Sequence, residues 1–331
     1  MDPSYSPSLP ILPFRFRFVK DKHHSFYRHK LTRLLAGTTA PAAAAHDIDA
    51  CITRAAEQRH HALVARIKAA RAAQKKGPDY EICPDPVSTI STLFSLLSDH
   101  CTVYPPFHPA QTRIVEFLAA LKEIPPHGVF NGWPPRGLSR PVRRVRLWGS
   151  DEGLGLGEFV RQLEEDGYEL YRHLTSAHNP KTVLRWRYLQ SAAARITVAR
   201  ICDFRAICAL AYITPSSGSY PDIEDDELDE TDWAKEISAS VLASAEWILP
   251  DGLGEYVFRR CLERETINWE MSGVWSRESW VVWKHQMGFV AREGRFSEEA
   301  RRVAREILTR MVGIEEVWVA DLESSMVDSL I

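Results

Sequence analysis

Apolar residues recur along this chain at steps of three and four, and that spacing confines it to helices. After Ser297, the series Ala300, Val303, Ala304, Ile307, Leu308 and Met311 draws one apolar stripe along an α-helix. The same period returns in Ile90, Leu93, Phe94 and Leu97, in Ile114, Phe117, Leu118 and Leu121, and in Leu156, Phe159, Val160 and Leu163. The predicted fold class is therefore all-α: an irregular multi-helix bundle of amphipathic helices with a disordered N-terminal extension. At 331 residues, 45% of them apolar, the chain can bury a sizeable core. One helical domain over residues 46–331 is expected.

Residues 1–45 mix proline, serine, arginine and histidine and then run into the alanine-rich stretch Thr38 to Ala45. That composition offers little apolar surface to bury, so the segment reads as a disordered, basic, proline-rich extension. Its Arg15, Arg17, Lys20, Lys22, Arg28, Lys30 and Arg33 stand against only Asp2 and Asp21. A mitochondrial presequence has this bias, but prolines up to Pro13 interrupt an amphipathic helix, and a solvated tail is the preferred reading. The apolar runs fall far short of the roughly 20 residues of a membrane span. Six scattered cysteines lack any C-x-x-C pair and suit a reducing compartment, so an intracellular, cytoplasmic protein is expected.

Helix boundaries follow from capping residues and prolines. A helix is expected from Asp47 to Lys76, where Gly77-Pro78 ends it, another from Pro86, and a third from Pro109 to about Glu123 with His108 beside its cap. His127 to Gly149, with the turn dipeptide Asn131-Gly132, reads as a long surface connection. Asp151 and Pro180 should open the next two helices, and a further one after Thr197 should align Ile201, Phe204, Cys208 and Ala211. Ser216 to Asp232 reads as an exposed acidic loop without the glycine-punctuated spacing of a calcium site. The remaining helices carry Trp233, Ile237, Val241 and Ala245; Leu253, Val257 and Cys261; Trp280, Trp283, Met287 and Val290; and the stripe capped by Ser297.

Chemistry-bearing groups are few. His108, Gln111 and Arg113 fall within one turn and could surround an anion, although a capping histidine packed on the Pro105-Pro106 turn is preferred. Asp203 sits in an apolar stretch and calls for a base such as Arg195, Arg200 or Arg205. Trp269, Trp275, Trp280 and Trp283 could wall an apolar pocket, but helical spacing favours core positions. The adjacent pairs His23-His24 and His60-His61 point about 100° apart on a helix and do not chelate one ion. No nucleophile elbow, H-E-x-x-H helix or phosphate loop is present, so no catalytic, cofactor-binding or metal-binding residue is assigned. Arg136, Arg140, Arg143, Arg144 and Arg146 could meet phosphate, yet the stretch lacks interleaved aromatics and a reading helix, which argues against nucleic acid.

In several segments the chain resembles the fungal domain-of-unknown-function family 3632. They are His108 to Val115, Trp186 through Ala194-Arg195-Ile196-Thr197 to Cys202-Asp203-Phe204, Ala245-Glu246-Trp247-Ile248, and Trp280 to Lys284 with the final helix, spread over about residues 80–315. The chain departs from the family at Tyr188-Leu189-Gln190-Ser191, where an Asn-rich run is usual. The resemblance implies a helical fold and a fungal origin and supplies no mechanism. The first functional expectation is a non-catalytic interaction or scaffold protein with a protein partner. Its rival is a small-molecule accessory protein or enzyme of fungal specialised metabolism, with an apolar ligand held among the C-terminal tryptophans.

Overall fold

Capping residues set the helix starts in this computed structural model, which describes residues 9–14, 22–73, 83–132, 143–148, 154–176, 179–213, 230–263 and 275–328. Asp85 accepts a hydrogen bond from the Ser88 amide (3.1 Å), Asn179 from Lys181 (3.0 Å), Ser276 from Ser279 (3.1 Å) and Ser297 from Ala300 (3.1 Å). Each satisfies an amide that the helix itself leaves orphaned. Among the described residues there are ten α-helices, two short 3-10 turns and one two-stranded ribbon, so the chain is all-α with a small β addition. None of these helices is long and apolar enough to cross a membrane. Two compact units result, where the sequence suggested one domain: residues 13–165, and residues 166–331 joined by 1–12.

The first unit opens with α1 (Lys22–Leu35), which the sequence placed in a disordered tail. Tyr27, Leu31, Leu34 and Leu35 form a helical stripe and are buried. The many bases around them hid that stripe in the composition. A Schellman motif stops the helix, with Gly37 at φ +77° and the amides of Gly37 and Thr38 bonded to the carbonyls of Leu34 and Arg33. Next, α2 (Pro41–Ala72) starts at a proline six residues before Asp47 and buries Ala44, Ala45, Ile48, Ile52 and Ala56. The alanine run is thus helix, suited by its propensity. The stripes of α3 (Pro86–Cys101) and α4 (Pro109–Glu123) are buried as their spacing predicts.

The segment expected to be a plain surface connection instead contains β1 (His127–Asn131) and β2 (Arg143–Leu147). They pair antiparallel with Phe130 opposite Arg144 and Gly128 opposite Arg146. Val129 and Leu147 are buried on one face. Alternation places Gly128, Phe130, Arg144 and Arg146 on the other. Helix α5 (Leu156–Ser176) follows, and its first half completes this unit.

The second unit contains the rest of α5, then α6 (Pro180–Val198), α7 (Glu230–Ile248), α8 (Leu253–Leu262), α9 (Arg277–Arg292) and α10 (Glu298–Asp328). After Thr197 the expected helix does not form. Arg200 takes a left-handed φ of 56°, and the amides of Arg200 and Ile201 close a second Schellman motif on Thr197 and Ile196. Two 3-10 turns, Arg205–Ile207 and Ala209–Tyr212, then bury Phe204, Ile207, Cys208 and Leu210. The apolar spacing was real, but the left-handed residue breaks the hydrogen-bond ladder. Gly254 of α8 lies so close to α7 and α10 that an added Cβ would fall 2.6 Å from the Ile248 carbonyl oxygen and 2.7 Å from Ile314 Cδ1. Asp151, Arg136, Arg140, Trp269 and the acidic stretch up to 229 lie outside the described residues, while Glu230, Thr231 and Asp232 begin α7.

Candidate functional site

His108, Gln111 and Arg113 meet at one corner, and each makes a hydrogen bond to the backbone. The His108 Nδ1 accepts from the Ala110 amide (3.1 Å), Gln111 Nε2 donates to the Tyr104 carbonyl (2.9 Å), and Arg113 Nη1 donates to the Leu35 carbonyl (2.6 Å). The His108 ring stacks on Tyr104 with centroids 4.9 Å apart, and Tyr104 lies parallel to His100 at 6.0 Å. Burial, with the Arg113 charge adding to it, holds the His108 pKa below the usual histidine value. The corner ties the end of α1 to the start of α4.

The described tryptophans of the candidate pocket are core residues. Trp275 is buried edge-on to Trp247 (5.7 Å between centroids) and to Tyr256 (6.3 Å). Trp280 packs on Phe258 (4.9 Å) and donates its indole N–H to Glu315 Oε1 (2.8 Å), while Trp283 is buried beside Met287 in sequence stripe and burial alike.

Asp203 lies in a polar cleft of about 490 Å³ where α6 ends and α8 passes, lined also by Thr197, Arg200, Cys202, Tyr256, Arg259, Arg260 and Glu263. Its carboxylate accepts from Arg205 Nε at 2.8 and 2.7 Å, from Arg205 Nη2, and from the Arg205 amide at 3.1 Å. Burial pushes this carboxyl up, but the Arg205 hydrogen bonds and charge, joined by Arg260, outweigh it and leave the pKa below the ordinary range. The Arg205 guanidinium also sits 5.9 Å above the Trp275 ring, so one arginine joins two residues singled out from sequence. On the opposite wall, Arg260 Nη1 donates to Glu263 Oε2 (2.6 Å). The lining thus carries three guanidiniums and two carboxylates, an excess of positive charge that suits an anionic group. Among the described residues no group of three or more His, Cys, Asp or Glu side chains could hold a metal ion.

A buried polar network escaped the sequence reading. Arg187 Nε donates to Glu246 Oε1 (2.7 Å), with both side chains almost wholly enclosed. Gln190 donates to the Ile207 carbonyl (2.7 Å) and accepts from the Ala209 amide (2.9 Å) and the Trp247 indole (2.6 Å). Burial raises the Glu246 carboxyl, against the pull of Arg187 and Ser191. The network joins α6 to α7 and fixes the 3-10 turns. Its signal lay in the segments around Trp186 and Ala245-Glu246-Trp247-Ile248, but sequence alone does not show that the two face each other.

No curated protein and no solved structure matches the chain. A family model, described as a protein of unknown function (DUF3632), matches residues 94–287. That stretch holds the His108 corner, the Arg187–Glu246 network and the Asp203 cleft. Since the match takes in more than half of the chain, the protein belongs to the DUF3632 family.

Proposed function

We propose that this protein is a non-catalytic interaction protein, which meets a protein partner through the arginine-lined cleft around Asp203. The observation that carries the reading is the contrast between closed and open chemistry. Trp275, Trp280 and Trp283 fill the core, and His108, Gln111 and Arg113 are bonded to backbone, whereas Arg200, Asp203 and Arg259 face solvent in a charged recess. A guanidinium cluster of this kind suits a carboxylate-bearing segment. The rival small-molecule reading draws no support from this packing, because the aromatic walls it needs are in contact with one another. We also infer a cytoplasmic location, supported by six cysteines that are all free thiols.

Native mass spectrometry on protein purified from its own cells tests the reading. A stoichiometric protein partner that is retained by the wild type and lost by Arg259→Glu/Arg260→Glu is the expected result. A bound metabolite at unit stoichiometry, with no partner protein, would replace this reading by the small-molecule one.

A further inference from the structure

The glycine at position 313, in the middle of α10, has no backbone reason to be there. The residue is helical, and a Cβ built on it would meet nothing within 4 Å. Glycine weakens a helix relative to alanine, so what Gly313 supplies is empty space. That space belongs to a largely apolar groove of about 360 Å³ between α8 and α10. Phe258 and Ile314 line it as nearly buried side chains, and Trp318 stands edge-on to Phe258 with centroids 6.1 Å apart. Arg310 Nη2 donates to Glu255 Oε1 (2.6 Å) at one end, and Val317, 64% exposed, lies about two helical turns further along α10. Arg259, one turn after Glu255 on α8, lines both this groove and the Asp203 cleft. It is exposed and joins no ion pair among the described residues, whereas Arg205, Arg260 and Arg310 are each bonded to a carboxylate. Helix α8 thus carries an apolar recess on its α10 side, a charged one on its α6 side and an unpaired cation between them.

We propose that this composite surface takes a short extended segment of a partner protein, which puts one bulky apolar side chain into the groove and one carboxylate onto Arg259 and the cleft. The two anchors should lie three or four residues apart. A helix is about 10–12 Å wide with its side chains, and an extended segment crosses that width in three or four residues at about 3.3 Å each. Charge selects the acid. Groove and cleft together present four guanidiniums (Arg200, Arg259, Arg260 and Arg310) against three carboxylates (Asp203, Glu255 and Glu263), and Arg259 stands outside any pair. A fatty acid offers the same two chemistries but fits less well, because the groove spans only about 10 Å of α10 and Val317 leaves it open to water. The inference rests on the reading of the Asp203 cleft as a protein-binding site and adds the chemistry of what binds there.

Selection of a random dodecapeptide phage library on the immobilised full chain tests it, followed by fluorescence anisotropy with labelled synthetic copies of the recovered peptides. Those peptides should pair Asp or Glu with a bulky apolar residue three or four positions away. Gly313→Leu fills the groove from a position where a side chain meets nothing, so it should weaken peptide binding roughly tenfold or more with the thermal midpoint unchanged or raised. Arg259→Gln should weaken binding by a similar factor, and Arg66→Gln, in the other unit, should not change it. If Gly313→Leu lowers the midpoint, Val317→Glu, at an exposed side chain, serves in its place. The natural partner separates this inference from the reading on which it rests. A partner retained by Gly313→Leu but lost by Arg259→Glu/Arg260→Glu would leave the cleft reading standing and overturn the groove. Three further results would overturn the proposal: recovered peptides without an acid, peptide binding untouched by Gly313→Leu, or oleate bound at unit stoichiometry more tightly than any recovered peptide.

Discussion

Breaking the Arg187–Glu246 pair from one side strands a carboxylate in the core, which is why single and double replacements should differ. Arg187→Ala is expected to cost about 3–5 kcal/mol in urea unfolding, while Arg187→Met/Glu246→Leu should return close to wild type. That outcome would mark the pair as specifying how α6 and α7 meet more than stabilising them. Arg200 has the opposite character. It carries a left-handed φ that glycine adopts freely, so Arg200→Gly should leave stability unchanged or raise it by up to about 1 kcal/mol, while weakening any partner held in the cleft. Two nearby glycines are limited by different physics. Gly252 has φ +77° with open space around it, and asparagine should be tolerated there. Gly254 has no room for a Cβ, so Gly254→Ala should be strongly destabilising in thermal unfolding.

At the scale of elements, α1 shows where composition misleads. Its bases suggest a solvated tail, but Tyr27, Leu31 and Leu34 are fully buried, so removing residues 1–35 should lower the thermal midpoint sharply. Trp283→Ala, in α9, should cost about 3–5 kcal/mol by chemical denaturation. The starts of α3, α6 and α10, both ends of α4 and the buried stripe of α9 were legible in the sequence. What was not legible depends on long-range pairing. The ribbon needs Phe130 to find Arg144, and the stop at Arg200 needs a left-handed arginine, which no residue preference announces. The candidate site was partly legible. A base for Asp203 was expected and Arg205 is that base, but Arg259 and Arg260 reach the same cleft from α8 and share no sequence signal with it.

At the scale of the whole molecule, acid should act first on residues 13–165. His100 is enclosed beside Tyr104 and Phe14, and burial, aided by the Arg28 charge, lowers its pKa to about 4. A histidine kept neutral in the folded state but protonated in the unfolded chain favours unfolding as pH falls. Its contribution is complete above about pH 6.5 and is lost progressively towards pH 4, with an upper limit of about 3 kcal/mol. Thermal midpoints measured from pH 7 to pH 4 should therefore decline, and His100→Phe, which keeps an aromatic ring in place, should flatten that decline.

The composite makeup of the second unit has a consequence for how the chain is made. Tyr188 donates its hydroxyl to the Pro10 carbonyl at 2.8 Å, across a separation of 178 residues, and Leu12 is buried. Residues 13–165 are one uninterrupted stretch of chain, whereas the second unit draws on residues before and after that stretch. Pro10 and Leu12 must wait for the later part. At about 5–20 residues per second, Pro10 emerges roughly 10 to 35 s before its partner tyrosine exists. Throughout that interval Leu12 and the Pro10 carbonyl lack the tyrosine that holds them, so the second unit cannot close around this segment until α6 has been made.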